Sequence, residues 1–139
     1  MAGWSLHYSF VVDESNAVIY EKIHGVWQAK TARSYHDDFM KEVEPLTANP
    51  WAKLVDLTNW KTSYPEVIDI IGNHLAWCMS NNLGLSINVL NNPSTFRQLL
   101  KMFTTGATRD ISHTFRTSVE AEQFLRENWI QPRLDRAQK

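Results

Sequence analysis

The stretch Lys53-Leu-Val-Asp-Leu-Thr-Asn-Trp-Lys-Thr-Ser-Tyr-Pro-Glu66 gathers more chemically able side chains than any other part of this chain. Asp56 follows an apolar run, where a carboxylate at the end of a parallel strand can reach into a ligand crevice. Its other use is to cap the following turn, and that is the expected one. No carboxylate lies close by in sequence to make an acid–base pair with it. Thr58 carries a hydroxyl that can take a phosphate or bond within a turn. Asn59, Trp60 and Tyr64 complete a polar and aromatic segment. Tryptophan and tyrosine in such a place anchor interfaces, line pockets or fold over a sheet edge.

Three other groupings can be named. His74 and Cys78 stand one helical turn apart, a spacing that can hold a metal. Both fall on the apolar side of their segment, so a core histidine beside a buried thiol is the expectation. His36 with Asp37 and Asp38 reads as a solvated helix face. Arg97 and Lys101, with Arg109 beyond them, could receive an anionic group but read as solvated too. The sequence contains no Gly-rich phosphate loop, dinucleotide fingerprint or zinc spacing. No catalytic constellation, cofactor or metal is expected.

Composition narrows the setting. The chain has 139 residues, of which 43% are hydrophobic. That is one domain with a real core. A formal net charge of -1 argues against a nucleic-acid scaffold and gives no attraction to anionic lipid. A single cysteine excludes an internal disulfide framework and suits a reducing compartment. The first residues carry no basic segment followed by an apolar run, so no secretory signal is expected. No stretch approaches the roughly 20 apolar residues of a membrane span. A cytoplasmic protein without membrane insertion is the expectation.

Hydropathy patterning supplies the elements that would position these residues. Leu6, Tyr8, Phe10 and Val12 alternate as one face of a strand. The polar turn Asp13–Asn16 joins it to a second strand from Ala17 to Ile23, closed by Gly25, as an antiparallel hairpin. From Gln28 the period becomes helical, with Ala29, Ala32, Tyr35, His36, Phe39, Met40 and Val43 on one side. A third strand, Ala52 to Leu57, is apolar enough to be central and parallel. Ser63 and Glu66 have capping-box spacing, and the helix after them buries Val67, Ile71, His74, Leu75 and Cys78. Leu85, Ile87 and Val89 mark a fourth strand. Asn92-Pro93 starts a helix whose inner stripe is Phe96, Leu99, Leu100 and Phe103, ended by Gly106. His113–Arg116 is a fifth strand. Thr117 and Glu120 form another capping box, opening a helix through Trp129, and a frayed polar tail covers 130–139. The expected class is α/β, a single domain with its core at about 6–129. It holds a mostly parallel five-stranded sheet with one antiparallel edge, in the order β-β-α-β-α-β-α-β-α.

This order, together with Gly25-Val-Trp27, Pro50-Trp-Ala-Lys-Leu-Val-Asp-Leu57 and Ser118-Val-Glu-Ala-Glu-Gln-Phe-Leu125, resembles the SpoIIAA-like fold. That group includes the anti-sigma-factor antagonists and STAS domains, and the likeness is closest to its uncharacterised bacterial branch. It spans roughly Leu6 to Trp129. In the antagonists an Asp-Ser-Ser/Thr-Gly motif after the third strand carries a phosphorylated hydroxyl. By position Asp56 matches the aspartate and Thr58 the phosphoacceptor, while Leu57 and Asn59 replace the serine and glycine. Ser63 is a second hydroxyl in the same region. The resemblance implies a non-catalytic, regulatory protein-interaction module, a homodimer whose contact face is Asp56, Thr58, Asn59, Trp60 and Tyr64. The alternative is a carrier of a small apolar ligand.

Overall fold

The computed structural model describes residues 7–61 and 64–138. Leu6 and Ser63 lie outside the described residues. β1 (Tyr8–Asp13) and β2 (Val18–Val26) form the antiparallel hairpin. Asp13 holds its turn, with its carboxylate accepting from the Ser15 hydroxyl at 2.8 Å, the Asn16 side-chain amide at 2.8 Å and the Asn16 N–H at 3.2 Å. These bonds lower the Asp13 pKa. β3 (Trp51–Lys61), β4 (Leu83–Val89) and β5 (Ser112–Phe115) join in parallel, giving the strand order β1-β2-β3-β4-β5. The expected mixed sheet with an antiparallel edge is therefore present.

When each parallel strand is laid beside the one before it, right-handed crossovers put every connecting helix on the same face. α1 (Ala29–Val43), α2 (Pro65–Ser80) and α3 (Pro93–Gly106) do share one face, and their inner residues pack in one core with Tyr8, Phe10, Ile19, Ile23, Val55 and Leu57. α4 (Ser118–Leu125) covers the other face, where Ala121 and Leu125 meet Val18, Ala52, Leu54, Ile87 and Val89. Thr117 caps α4 as expected, accepting from the Glu120 N–H at 3.3 Å. Asn92 caps α3, accepting from the N–H groups of Ser94 at 2.9 Å and Thr95 at 3.3 Å.

Several boundaries differ from expectation, each for a local reason. The chain does not fray after Trp129. It passes through a π-helical turn (Arg126–Ile130) into α5 (Gln131–Ala137). The Trp129 indole N–H is tied there to the Asn16 carbonyl at 2.9 Å. Gly25 does not end β2, since its positive φ of 83° is accommodated inside the strand. The inner stripe of α3 is turned by about one residue, so Thr95, Leu99, Met102 and Phe103 are buried and Leu100 is 37% exposed. Gly106 serves close packing more than termination. A Cβ there would lie 2.5 Å from the Leu75 Cβ and 2.8 Å from the Gly72 carbonyl oxygen. The left-handed residue that caps α3 is Ala107. α2 begins at Pro65 with Tyr64 as its N-cap and no side-chain cap bond, which places Glu66 one position too early for the expected capping box.

Candidate functional site

The largest departure concerns the strand that carries the predicted site. β3 runs on to Lys61, so Thr58, Asn59 and Trp60 belong to a strand and not to a turn. Between Lys22 and His24 of β2 the partner residues on β3 go from Asp56 to Asn59, one residue too many. This is a β-bulge, which leaves a backbone N–H without its ladder partner. The Asp56 carboxylate supplies one, accepting from the Thr58 N–H at 3.0 Å and the Thr58 hydroxyl at 2.7 Å. Asp56 thus caps a local irregularity, as expected of it, though inside the sheet.

The bulge divides the predicted face. Val55 and Leu57 point to the side of the three helices, and after the extra residue so does Trp60. Trp60 is 3% exposed and packs edge-on to Trp27 with ring centroids 5.8 Å apart. The exposed-anchor expectation for Trp60 is therefore corrected, and it lines a cavity instead. Asp56 lies on the opposite side, in an open groove with Ser9, Val11, Tyr20, Lys22, Leu54, Ser118 and Glu122. Asn59 is exposed, and Tyr64 is 41% exposed at the start of α2. Asp56 and Thr58 are brought together, whereas Trp60 is separated from them by the sheet.

Beneath the three helices is a polar group of residues that sequence reasoning missed. Glu21 on β2 and Lys53 on β3 form an ion pair at 3.3 Å with both side chains buried. Tyr35 of α1 donates its hydroxyl hydrogen to Glu21. Burial first, and then the Glu21 carboxylate, hold the Tyr35 phenol well above its ordinary pKa of 10.0. The Lys53 ammonium lies 5.7 Å from the centre of the Phe39 ring. Ser86 and Asn88 of β4 stand beside Lys53 and Val55 in register, both buried. A usable signal was present. Glu21 sits in the inward alternation Ile19-Glu21-Ile23, and Lys53 in Trp51-Lys53-Val55. A charge at the inward position of a central strand needs a partner.

His74 joins this group from α2. Its Nδ1 is 2.8 Å from the Nδ1 of His36 on α1, and its Nε2 is 3.6 Å from the Cys78 Sγ. Desolvation, then the Lys53 ammonium, then His36, hold His74 well below its ordinary pKa of 6.5. Burial likewise lowers His36. Burial pushes the Cys78 thiol up to about 12, so it stays protonated and unreactive at neutral pH. The expectation of a core histidine beside a buried thiol matches this geometry. His36 departs from the solvated-face expectation, being half-buried between His74 and Trp77. Among the described residues no group of three or more His, Cys, Asp or Glu could hold a metal. Arg97, Lys101 and Arg109 are exposed, as expected. No described helix is long and apolar enough to cross a membrane. No protein-family model matches this chain, and no curated protein matches it.

Proposed function

We propose that the chain is a non-catalytic protein-interaction module that pairs with a second copy of itself along the outer edge of β1. The observation behind this reading is the composition and register of that edge. β1 is the terminal strand of the sheet, and its residues Tyr-Ser-Phe-Val-Val-Asp contain no Lys or Pro and one charge, at the end. Edges left without such blunting residues accept another strand.

The register defines the pairing. The His24 N–H donates to the His7 carbonyl at 2.9 Å, and Tyr8 stands opposite Ile23. Hydrogen-bonded pairs alternate in an antiparallel ladder, so Ser9 and Val11 bond inward to β2. Phe10 and Val12 then turn their backbone groups outward. A two-fold axis at Val11 sets Phe10 opposite Val12 of the second copy, twice over. It brings the two Val11 side chains together at a non-hydrogen-bonded pair, where side chains are closest. Val11 is 65% exposed in the single chain and would be covered.

The SpoIIAA-like resemblance supports a regulatory use of such a module. A phosphate on Thr58 is less favoured, because it would bring its charge against the Asp56 carboxylate that now holds the hydroxyl. The carrier reading is not favoured by a cavity of about 30 Å³, which is the scale of one water and not of a lipid chain. Sedimentation velocity over a concentration series tests the proposal. The expected result is a reversible dimer that Val11→Lys, which sets like charges directly opposite each other, turns into a folded monomer. A wild-type chain that stays monomeric, or a Val11→Lys chain that dimerises equally well, would overturn it.

A further inference from the structure

We propose that the cavity under the C-terminal half of β3 is a binding site for one hydrogen-bond-accepting guest of water or halide size. The cavity has a volume of about 30 Å³, enough for one such guest. Its walls are apolar except for a few side chains, among them Lys53, Trp60, His74 and Asn88. The indole N–H of Trp60 is buried and has no hydrogen-bond partner among the described residues. Buried N–H groups are almost always paired, and an orphan on a cavity wall implies an occupant.

The chemistry of the occupant follows from what the wall still has to offer. An indole nitrogen and an ammonium only donate. Lys53 faces Glu21 as an ion pair at 3.3 Å without forming a hydrogen bond to it, and so keeps hydrogens to spare. Asn88 gives one amide hydrogen to the His113 carbonyl at 3.3 Å and keeps the other. His74 has both nitrogens engaged, with His36 and Cys78. Donors therefore predominate, and the guest must accept. A water would also return a hydrogen to the Asn88 carbonyl oxygen, whereas a halide would take bonds from the donors alone. Such a guest would tie β3 to β4 beneath the helices, a role independent of self-association at β1.

Crystals of the full chain grown in bromide, and others grown free of halide, test this site. The expected result is one ordered peak within hydrogen-bond distance of the Trp60 Nε1. An anomalous signal in bromide would identify a halide, and its absence a water. The peak should vanish in Trp60→Phe. An empty cavity in both crystals, or a guest unmoved by Trp60→Phe, would overturn the proposal. If that variant does not fold, the wild-type chain still decides. A magnetisation-transfer cross-peak between the Trp60 indole proton and a long-lived water, or a shift of that proton on bromide titration, is expected. The lack of both would overturn the site.

Discussion

On the helix-covered side of the sheet, β2, β3 and β4 carry Glu21, Lys53, Ser86 and Asn88 beneath α1, α2 and α3. On the other side one helix, α4, covers β3 to β5, and Lys22, Asp56 and Glu122 reach an open groove. Both sides hold charges on adjacent strands, but solvent changes what those charges do. In water an ion pair contributes little and either partner can be lost cheaply. Under three helices each charge depends on the other, because an unpaired buried charge costs far more than the pair gains. The covered side should therefore be intolerant of single changes, and the open side free to vary.

The sharpest way to break this contrast is to remove half of the buried pair. Lys53→Met or Glu21→Leu alone should lower unfolding free energy by about 3–5 kcal/mol, and the double variant should recover much of it. Urea denaturation of the three proteins would show this as strong non-additivity. Gly72→Ala and Gly106→Ala should come next, costing about 1–3 kcal/mol by forcing α2 and α3 apart. A Cβ on Gly72 would lie 2.6 Å from the Thr105 Cβ.

Acid acts on the same side. His74 and His36 are both held below the ordinary 6.5, so the unfolded chain binds protons that the folded chain refuses. Their stabilising share is complete above about pH 6.5 and is lost as pH falls below it toward the folded values. Urea midpoints measured on either side of that pH should diverge in the wild type and draw together in His74→Phe. The smallest effects belong to the open side. Thr58→Val should cost about 1 kcal/mol by removing the hydroxyl bond to Asp56. Lys22→Met and Glu122→Gln should each change stability by no more than about 0.5 kcal/mol. A large loss from Lys22→Met would show that the groove is not a tolerant surface.

Much of the architecture was legible from periodicity. The α1 and α2 stripes emerge with Ala32, Tyr35, Phe39 and Val43, and with Val67, Ile71, His74, Leu75 and Cys78, on their buried sides. Caps at Asn92 and Thr117 could be read because one side chain satisfies one or two N–H groups a few residues away. The site was harder, since it depends on contacts between strands. The polarity of Leu57-Thr-Asn-Trp60 resembles a turn, and only pairing with β2 keeps it extended. Glu21 and Lys53 are 32 positions apart and acquire meaning only when β2 lies beside β3. Periodicity alone does not fix the α3 stripe, because Met102 and Leu100 are equally apolar. The close approach at Gly106 decides between them.

The extra residue in β3 also affects how this chain should be compared with others. Upstream of Leu57, odd-numbered residues face the helices, and at Trp60 it is an even-numbered one. A gapless alignment through this strand would match residues correctly as far as Leu57 and then compare inner positions with outer ones. Any motif transferred across it, a phosphoacceptor at Thr58 included, would come out one residue displaced. Relatives lacking the insertion should carry their large aromatic one position earlier than Trp60, and a one-residue gap placed at Thr58 would bring the two patterns back into phase.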